Sequence, residues 1–421
     1  MNLSKVSESL QLQKILGLLW HTILSQIVAI FGTFLLAKYF YSPEEMGALS
    51  FFLAVISIGS TLAMLRLDLT IVLHQDMKSA IQTLQFCLAL AACAAPVLWL
   101  FFYLIQYINS DFCDKINFLS LFGIFFLAGT SAFQLFMTKA DQFKIISYAR
   151  ILQSVSILGG QILFFYIDKN SGLIIGNLLG LLVCYYYFRI KSIPLGYANW
   201  SFFDLKKNRQ IVKKYSKIAF YSLPSGVANL LYQNIQPVLI LAWFGKAEAG
   251  LFFFAVRILQ APLQLISSSV SNIFYKEASE LMANQPQKLF GYTLKMQALI
   301  GGVIILPVLF LAVTSQQIIL FFFDAKWAAS GQYLSILVCL FFFRSLYNPI
   351  SYIAEVVNKV QVELVFNVFL LGSNVAALYV AHQRNDFLLA VQLITFFGCI
   401  GYLGLCLYFT VINYKIKNKK L

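Results

Sequence analysis

The sequence predicts an all-α polytopic membrane protein of about twelve transmembrane helices, and three observations carry that prediction. Hydrophobic residues fill 60% of the 421 positions and charged residues only 11%, against roughly 25% charged in soluble chains. The apolar runs are about 20 residues long, a helical span and twice the length of a barrel strand. The basic residues fall between those runs, where they orient a membrane protein. In lipid every backbone amide must be paired within the protein, so runs of this length are helices.

In chain order the helices are expected at 15–38, 47–65, 81–106, 118–137, 145–167, 172–190, 218–243, 251–273, 296–315, 333–353, 364–381 and 387–411. The polar stretch Met1 to Lys14 precedes the first helix, and no small-x-small cleavage site follows. It is read as the start of an uncleaved anchor. Alternate connections differ sharply in charge. One side holds the N-tail, the stretches Arg66 to Lys78, Lys139 to Arg150, Arg189 to Lys217 and Lys276 to Lys295, Lys359, and the C-tail. The other side carries only Lys38, Lys115, Lys169, Lys246, Lys326 and Arg384. The positive-inside rule then puts both termini in the cytoplasm. The longest connection, 191–217, contains Lys206, Lys207, Arg209, Lys213, Lys214 and Lys217. It is expected as a basic cytoplasmic linker between an N-terminal six-helix lobe, 1–190, and a C-terminal one, 218–421. Orientation and contact with anionic lipid account for its charge; a dedicated partner site is the alternative.

Several function classes drop out. The net charge of +14 does not indicate nucleic acid, because the cations sit at span ends. Of the seven cysteines only Cys113 falls in an expected loop, and none forms a C-x-x-C pair. They read as small apolar side chains, not as metal ligands or disulfides. There is no G-x-x-x-x-G-K-[ST] loop, Ser/His/Asp arrangement, paired carboxylates or metal cluster in the pattern. Neither catalysis nor a cofactor is expected.

The two halves echo each other. Phe40-Tyr-Ser-Pro-Glu-Glu-Met-Gly47 is followed by Phe51-Phe-Leu-Ala-Val55. Phe244-Gly-Lys-Ala-Glu-Ala-Gly250 is followed by Phe252-Phe-Phe-Ala-Val256. With an even number of helices per half, the repeats share one orientation, an architecture of transporters with alternating access. Apolar helices also resemble one another by chance, so the echo alone is short.

Polar residues mark an interior. Ser222, Ser225, Asn229, Gln233 and Gln236 step by three and four along the seventh helix and share an arc of roughly 80°. Arg257, Gln260, Gln264, Ser267 and Ser271 keep the same rhythm in the eighth, and Arg344, Asn348 and Ser351 in the tenth. Helix–helix hydrogen bonding, at about 0.6 kcal/mol each, is the plain explanation; the wall of a hydrated cavity is the sharper one. Pro224, Pro237 and Pro262 are expected to break or kink these helices. Arg257 and Arg344 each cost about 2.5–3.5 kcal/mol at a helix centre, and no Asp or Glu lies in the central part of any expected span. They either cap backbone carbonyls or await an anion. A cationic interior fits a phosphate or pyrophosphate, which arginine binds bidentately. Arg66 could contribute or simply anchor the interface. His21, alone in the first helix, is either structural or titrating.

The segments Tyr41 to Gly47, Leu65-Arg-Leu-Asp-Leu-Thr-Ile-Val-Leu73, Tyr215 to Ser225, Ala249 to Pro262 and Phe323 to Gly331 together resemble the polysaccharide biosynthesis branch of the multidrug/oligosaccharidyl-lipid/polysaccharide (MOP) exporters. These are the Wzx-type O-antigen flippases, related to MATE transporters. The resemblance implies two six-helix lobes around a central cavity in the bacterial cytoplasmic membrane. It implies a substrate of undecaprenyl-pyrophosphate-linked oligosaccharide, with membrane lipids, a polysaccharide polymerase and a chain-length regulator as partners. No binding residue is carried over from the family. Coupling to H+ or Na+ is compatible with such a fold, though no intramembrane carboxylate marks an ion site. A MATE-like multidrug or metabolite exporter and a lipid II flippase remain alternatives. A membrane glycan polymerase or ligase would need a long outer loop, and the outer connections here are short.

Overall fold

The computed structural model describes residues 24–74, 76–107, 114–197, 230–357 and 359–418. Among these residues every regular element is helical. The long helices are α1 (Leu24–Tyr39), α2 (Pro43–Met64), α4 (Met77–Tyr107), α5 (Asp114–Lys139), α6 (Phe143–Phe165), α7 (Lys169–Ser192), α8 (Leu230–Phe244), α9 (Lys246–Asn284), α10 (Pro286–Phe322), α11 (Ala328–Tyr347), α13 (Val360–Gln383) and α14 (Phe387–Asn418). Two one-turn helices, α3 (Thr70–Leu73) and α12 (Ile353–Val356), lie between them. Each of the twelve expected spans thus has its helix, and the chain is a multi-pass membrane protein. Eight of the helices are by themselves long and apolar enough to cross a bilayer. On α10 the apolar face points outward, with Leu306 72%, Val313 75% and Phe321 81% exposed, as lipid as solvent requires.

The basic stretches depart from expectation. Lys276 to Lys295 is a helical hairpin, not a loop: α9 runs to Asn284 and α10 starts at Pro286. At 39 residues, α9 is about 58 Å long at 1.5 Å per residue, nearly twice the hydrocarbon core. Lys144 likewise lies within α6. No break occurs at Pro237 or Pro262, since α8 and α9 continue through them; α4 and α10 also contain Pro96 and Pro307. Neighbouring groups can satisfy the carbonyls that proline frees in a membrane helix. Pro224 lies outside the described residues.

The chain divides into two compact units: Met1–Tyr41 with Ala48–Asn234, and Ser42–Gly47 with Ile235–Leu421. In the first unit α6 packs along α7, α4 on α5, and α5 on α7. Close approach of α6 and α7 relies on glycine: a Cβ on Gly160 would stand 2.9 Å from the Gly176 Cα, the small-residue contact that brings membrane helices together. Tyr41 donates its hydroxyl to the Gln161 carbonyl at 2.6 Å, and Gln161 Nε2 donates to the Leu173 carbonyl at 3.2 Å.

In the second unit α10 packs on α11, α13 on α14, α11 on α14, and α9 on α11. Buried Trp327 meets the ring of Phe254 at 4.6 Å. Ser330 Oγ donates to the Leu251 carbonyl at 3.1 Å, and Tyr333 donates to Glu248 Oε2 at 2.6 Å. The borrowed segment Ser42–Gly47 is the start of α2. Pro43 opens it at the first helical position, and Glu45 reaches back to the Ser42 amide at 2.6 Å, as in a capping box. Gly47 and Gly250 face one another through bare backbone. A Cβ on Gly47 would strike the Lys246 carbonyl, and a Cβ on Gly250 would strike the Pro43 carbonyl.

The helix pairing of one unit recurs in the other in sequence order: α4/α5 as α10/α11, α6/α7 as α13/α14, and α5/α7 as α11/α14. The paired sequence segments behave alike too. Phe40 packs against Phe165 at the end of α6 (5.1 Å), and Phe244 against His382 at the end of α13 (5.9 Å). The packing therefore supports the internal repeat read from the sequence.

Candidate functional site

The predicted polar residues fall on both units. Arg257 and Gln260 are one turn apart on α9, and Arg344 lies in the last turn of α11. Asn348, four residues after Arg344, opens the 3-10 turn Asn348–Ile350 and donates its amide to the Arg344 carbonyl. That turn packs against α9. All four side chains are half-buried. Gln236 on α8 is half-buried as well, while Gln233 one turn earlier is exposed. His21 and Asn229 lie outside the described residues, as does the side chain of Gln264.

Contacts between α9 and α11 fix the depth of the two arginines. Ser330 meets Leu251, and beyond α11 the ring of Tyr352 meets Tyr275 at 4.8 Å. The helices therefore run in the same direction. By interpolation Arg344 sits level with a residue about nine positions beyond Arg257, a step of roughly 13 Å along α9. The arginines thus stand at two levels of a packed helix pair, not at one. Arg344 lies over the Phe341 ring at 5.5 Å, a cation–π contact that holds the guanidinium plane; its Nε is buried and makes no hydrogen bond. Neither helix supplies a carboxylate near these charges: α11 contains no Asp or Glu, and α9 none between Glu248 and Glu277.

Arg66 belongs to the first unit and a different setting. α2 stops at Met64, and Leu65 and Arg66 both take left-handed conformations, φ 50° and 61°. The chain then turns through Leu67–Leu69 into α3, and these short elements pack on α4 and α5. Leu67, Asp68, Thr70 and Ile71 are buried by this reversal, whereas Arg66 stays half-buried. Thr70 donates its hydroxyl to the Leu67 carbonyl at 2.6 Å, and His74 Nε2 pairs with Thr83 Oγ1 at 2.7 Å.

Two charged groups were missed by pattern reading. Asp68 stands in an apolar run, Leu-Arg-Leu-Asp-Leu, where an acid between leucines was the available signal. Arg150, counted with a basic connection although it falls inside the expected helix 145–167, sits in α6 close enough to Cys184 of α7 to interact electrostatically.

Comparison with known proteins follows this geometry. A family model described as polysaccharide biosynthesis protein matches residues 15–332. The chain belongs to that family. Curated protein sequences give no match. Among solved structures, the lipid II flippase MurJ in an inward closed conformation superposes with a TM-score of 0.70 at 16% identity, covering 95% of this chain and 87% of that one. An inward-facing multidrug resistance MATE family transporter of the MOP superfamily gives 0.61 at 14% identity, covering 95% and 96%. An outward-facing one gives 0.54 at 12%, covering 96% and 97%. At these identities the likeness concerns the fold. This member of the polysaccharide biosynthesis family shares its fold with MurJ and the MATE structures, in keeping with the resemblance read from its sequence.

Proposed function

We propose that this protein moves an undecaprenyl-pyrophosphate-linked oligosaccharide, an O-antigen or similar surface-polysaccharide repeat unit, across the bacterial cytoplasmic membrane by alternating access. The observation that carries the reading is the arginine ladder, Arg257 and Arg344, on packed helices, α11 without a carboxylate and α9 with none between Glu248 and Glu277. A guanidinium kept in a membrane protein with no acid within two turns along its own helix suits an anionic ligand, and pyrophosphate offers bidentate geometry. The step of roughly 13 Å along α9 favours successive contact with the anion, first one rung and then the other. Gln236, Gln260 and Asn348 are suited to sugar hydroxyls, and the polyprenyl tail stays in lipid. The flipped unit would pass to a polymerase and chain-length regulator.

Arg257→Ala and Arg344→Ala are expected to lower surface glycan without loss of membrane insertion. Loss of a charge-assisted hydrogen bond of about 1.5–3 kcal/mol corresponds to roughly 10- to 150-fold in transport. Lys substitutions retain part of it, since they keep the charge and lose the fork. Lipid analysis of a deletion strain should find the linked unit accumulated on the cytoplasmic face. Normal glycan from a well-expressed double Ala variant refutes the role. Lipid II transport is a second reading, favoured by the fold likeness to the lipid II flippase; loss of viability on deletion separates it. Drug resistance on overexpression would instead mark a MATE-like exporter.

A further inference from the structure

The turn after α2 buries a carboxylic acid beside a partly open arginine. Asp68 is 8% exposed, and its Oδ1 makes no hydrogen bond. Arg66, two residues earlier, lies near enough to act on it electrostatically, and Arg66 Nε also makes no hydrogen bond. The elements packed on this turn offer little else. α3 contains no titratable side chain and is followed by His74, which pairs with Thr83. α4 presents the buried Cys87 thiol, which interacts with Asp68. α5 carries no titratable residue from Phe118 to Thr138.

An ionised carboxylate in this position would be buried with an empty acceptor, which costs several kcal/mol unless paired and hydrogen-bonded. The neutral acid avoids most of that cost. Burial accordingly pushes the Asp68 carboxyl above its usual range, with Arg66 and the main-chain amides of Leu69 and Asp68 opposing in part. Two arrangements are then available to one guanidinium. It can compensate an ionised Asp68, or, with Asp68 protonated, it can turn its fork to another anion.

We propose that Asp68 is a proton-binding site and that its carboxylate competes with a pyrophosphate group for Arg66, so that an anion bound at Arg66 is accompanied by a proton on Asp68. The proposal rests on the pyrophosphate reading above. The proton comes from bulk water along the exposed side of Arg66 and adds to the carboxylate; no covalent bond of the ligand changes. The linkage is positive: anion binding withdraws Arg66 from Asp68, favours the acid, and takes up a proton. Such a site sets the pH at which the anion is held. It does not by itself drive export with an inward proton gradient, which would require the two to compete.

The test uses the full chain in nanodiscs. Infrared difference spectra with and without inorganic pyrophosphate should show a protonated-carboxyl band that grows on binding and that Asp68→Asn removes; no such band in the unsubstituted protein with pyrophosphate bound overturns the proposal. Calorimetry with inorganic pyrophosphate in two buffers of different ionisation enthalpy should show proton uptake on binding. The affinity should fall with rising pH, by up to about tenfold per unit for a single linked proton. Asp68→Asn, nearly isosteric with the acid, should bind without that uptake, and Arg66→Gln should weaken binding in both backgrounds. Equal proton uptake in Asp68→Asn overturns the Asp68 role and leaves the arginine ladder standing. No pyrophosphate binding at any pH overturns both.

Discussion

At the scale of single residues, charge decides this protein, and few charges are involved. Arg257 and Arg344 were visible in the sequence because cations in apolar runs are rare and expensive. Asp68 was not, although it lies in a segment quoted for family likeness. Its burial follows from the left-handed pair Leu65–Arg66, and nothing in hydropathy reports a φ angle. The acid has a consequence for stability that Asn lacks. Its folded-state pKa is raised by burial, so the folded protein binds more protons than the unfolded chain, and stability falls as pH rises. The fall begins at the ordinary carboxylate value, near 3.9, and ends at the raised folded value. Thermal unfolding followed across that range should show the decline in the native protein and a flatter profile in Asp68→Asn.

At the scale of elements, the left-handed break itself is testable. Leu65 is substantially exposed and holds φ 50°, a conformation costing a non-glycine residue roughly 1–2 kcal/mol. Leu65→Gly removes that strain, and a gain of up to about 1 kcal/mol, net of glycine's greater chain entropy, is expected in denaturation of the purified protein. Asn385, also left-handed at φ 50°, needs no such relief, because asparagine tolerates the region. Spans were legible because an apolar run of about 20 residues has few ways to exist. Their polar continuations were not. The hairpin joining α9 to α10 was read as a loop since Lys276 to Lys295 is rich in charge and amide side chains, yet those residues are good helix formers. Hydropathy reports where a helix leaves the bilayer, not where it ends.

For the whole molecule, orientation remains the widest expectation, because it assigns a side of the membrane to every connection. Lys326, 43% exposed beside Asp324 at 3.4 Å, belongs to the side poor in cations, and Lys417 to the rich one. A cysteine placed at Lys326 should react with an impermeant maleimide added outside intact spheroplasts, and one at Lys417 only after lysis. The reverse pattern would invert the topology. The six-residue loan between the halves has a practical corollary for engineering. Ser42–Gly47 precedes most of the first unit in sequence but clusters with the second, while the opening residues of α8 cluster with the first. A hybrid chain spliced at the basic linker would therefore separate Ser42–Gly47 from the unit in which it packs. Donor and recipient should be matched at Pro43, Gly47, Lys246 and Gly250 together, because a side chain on either glycine would collide with the opposite main chain.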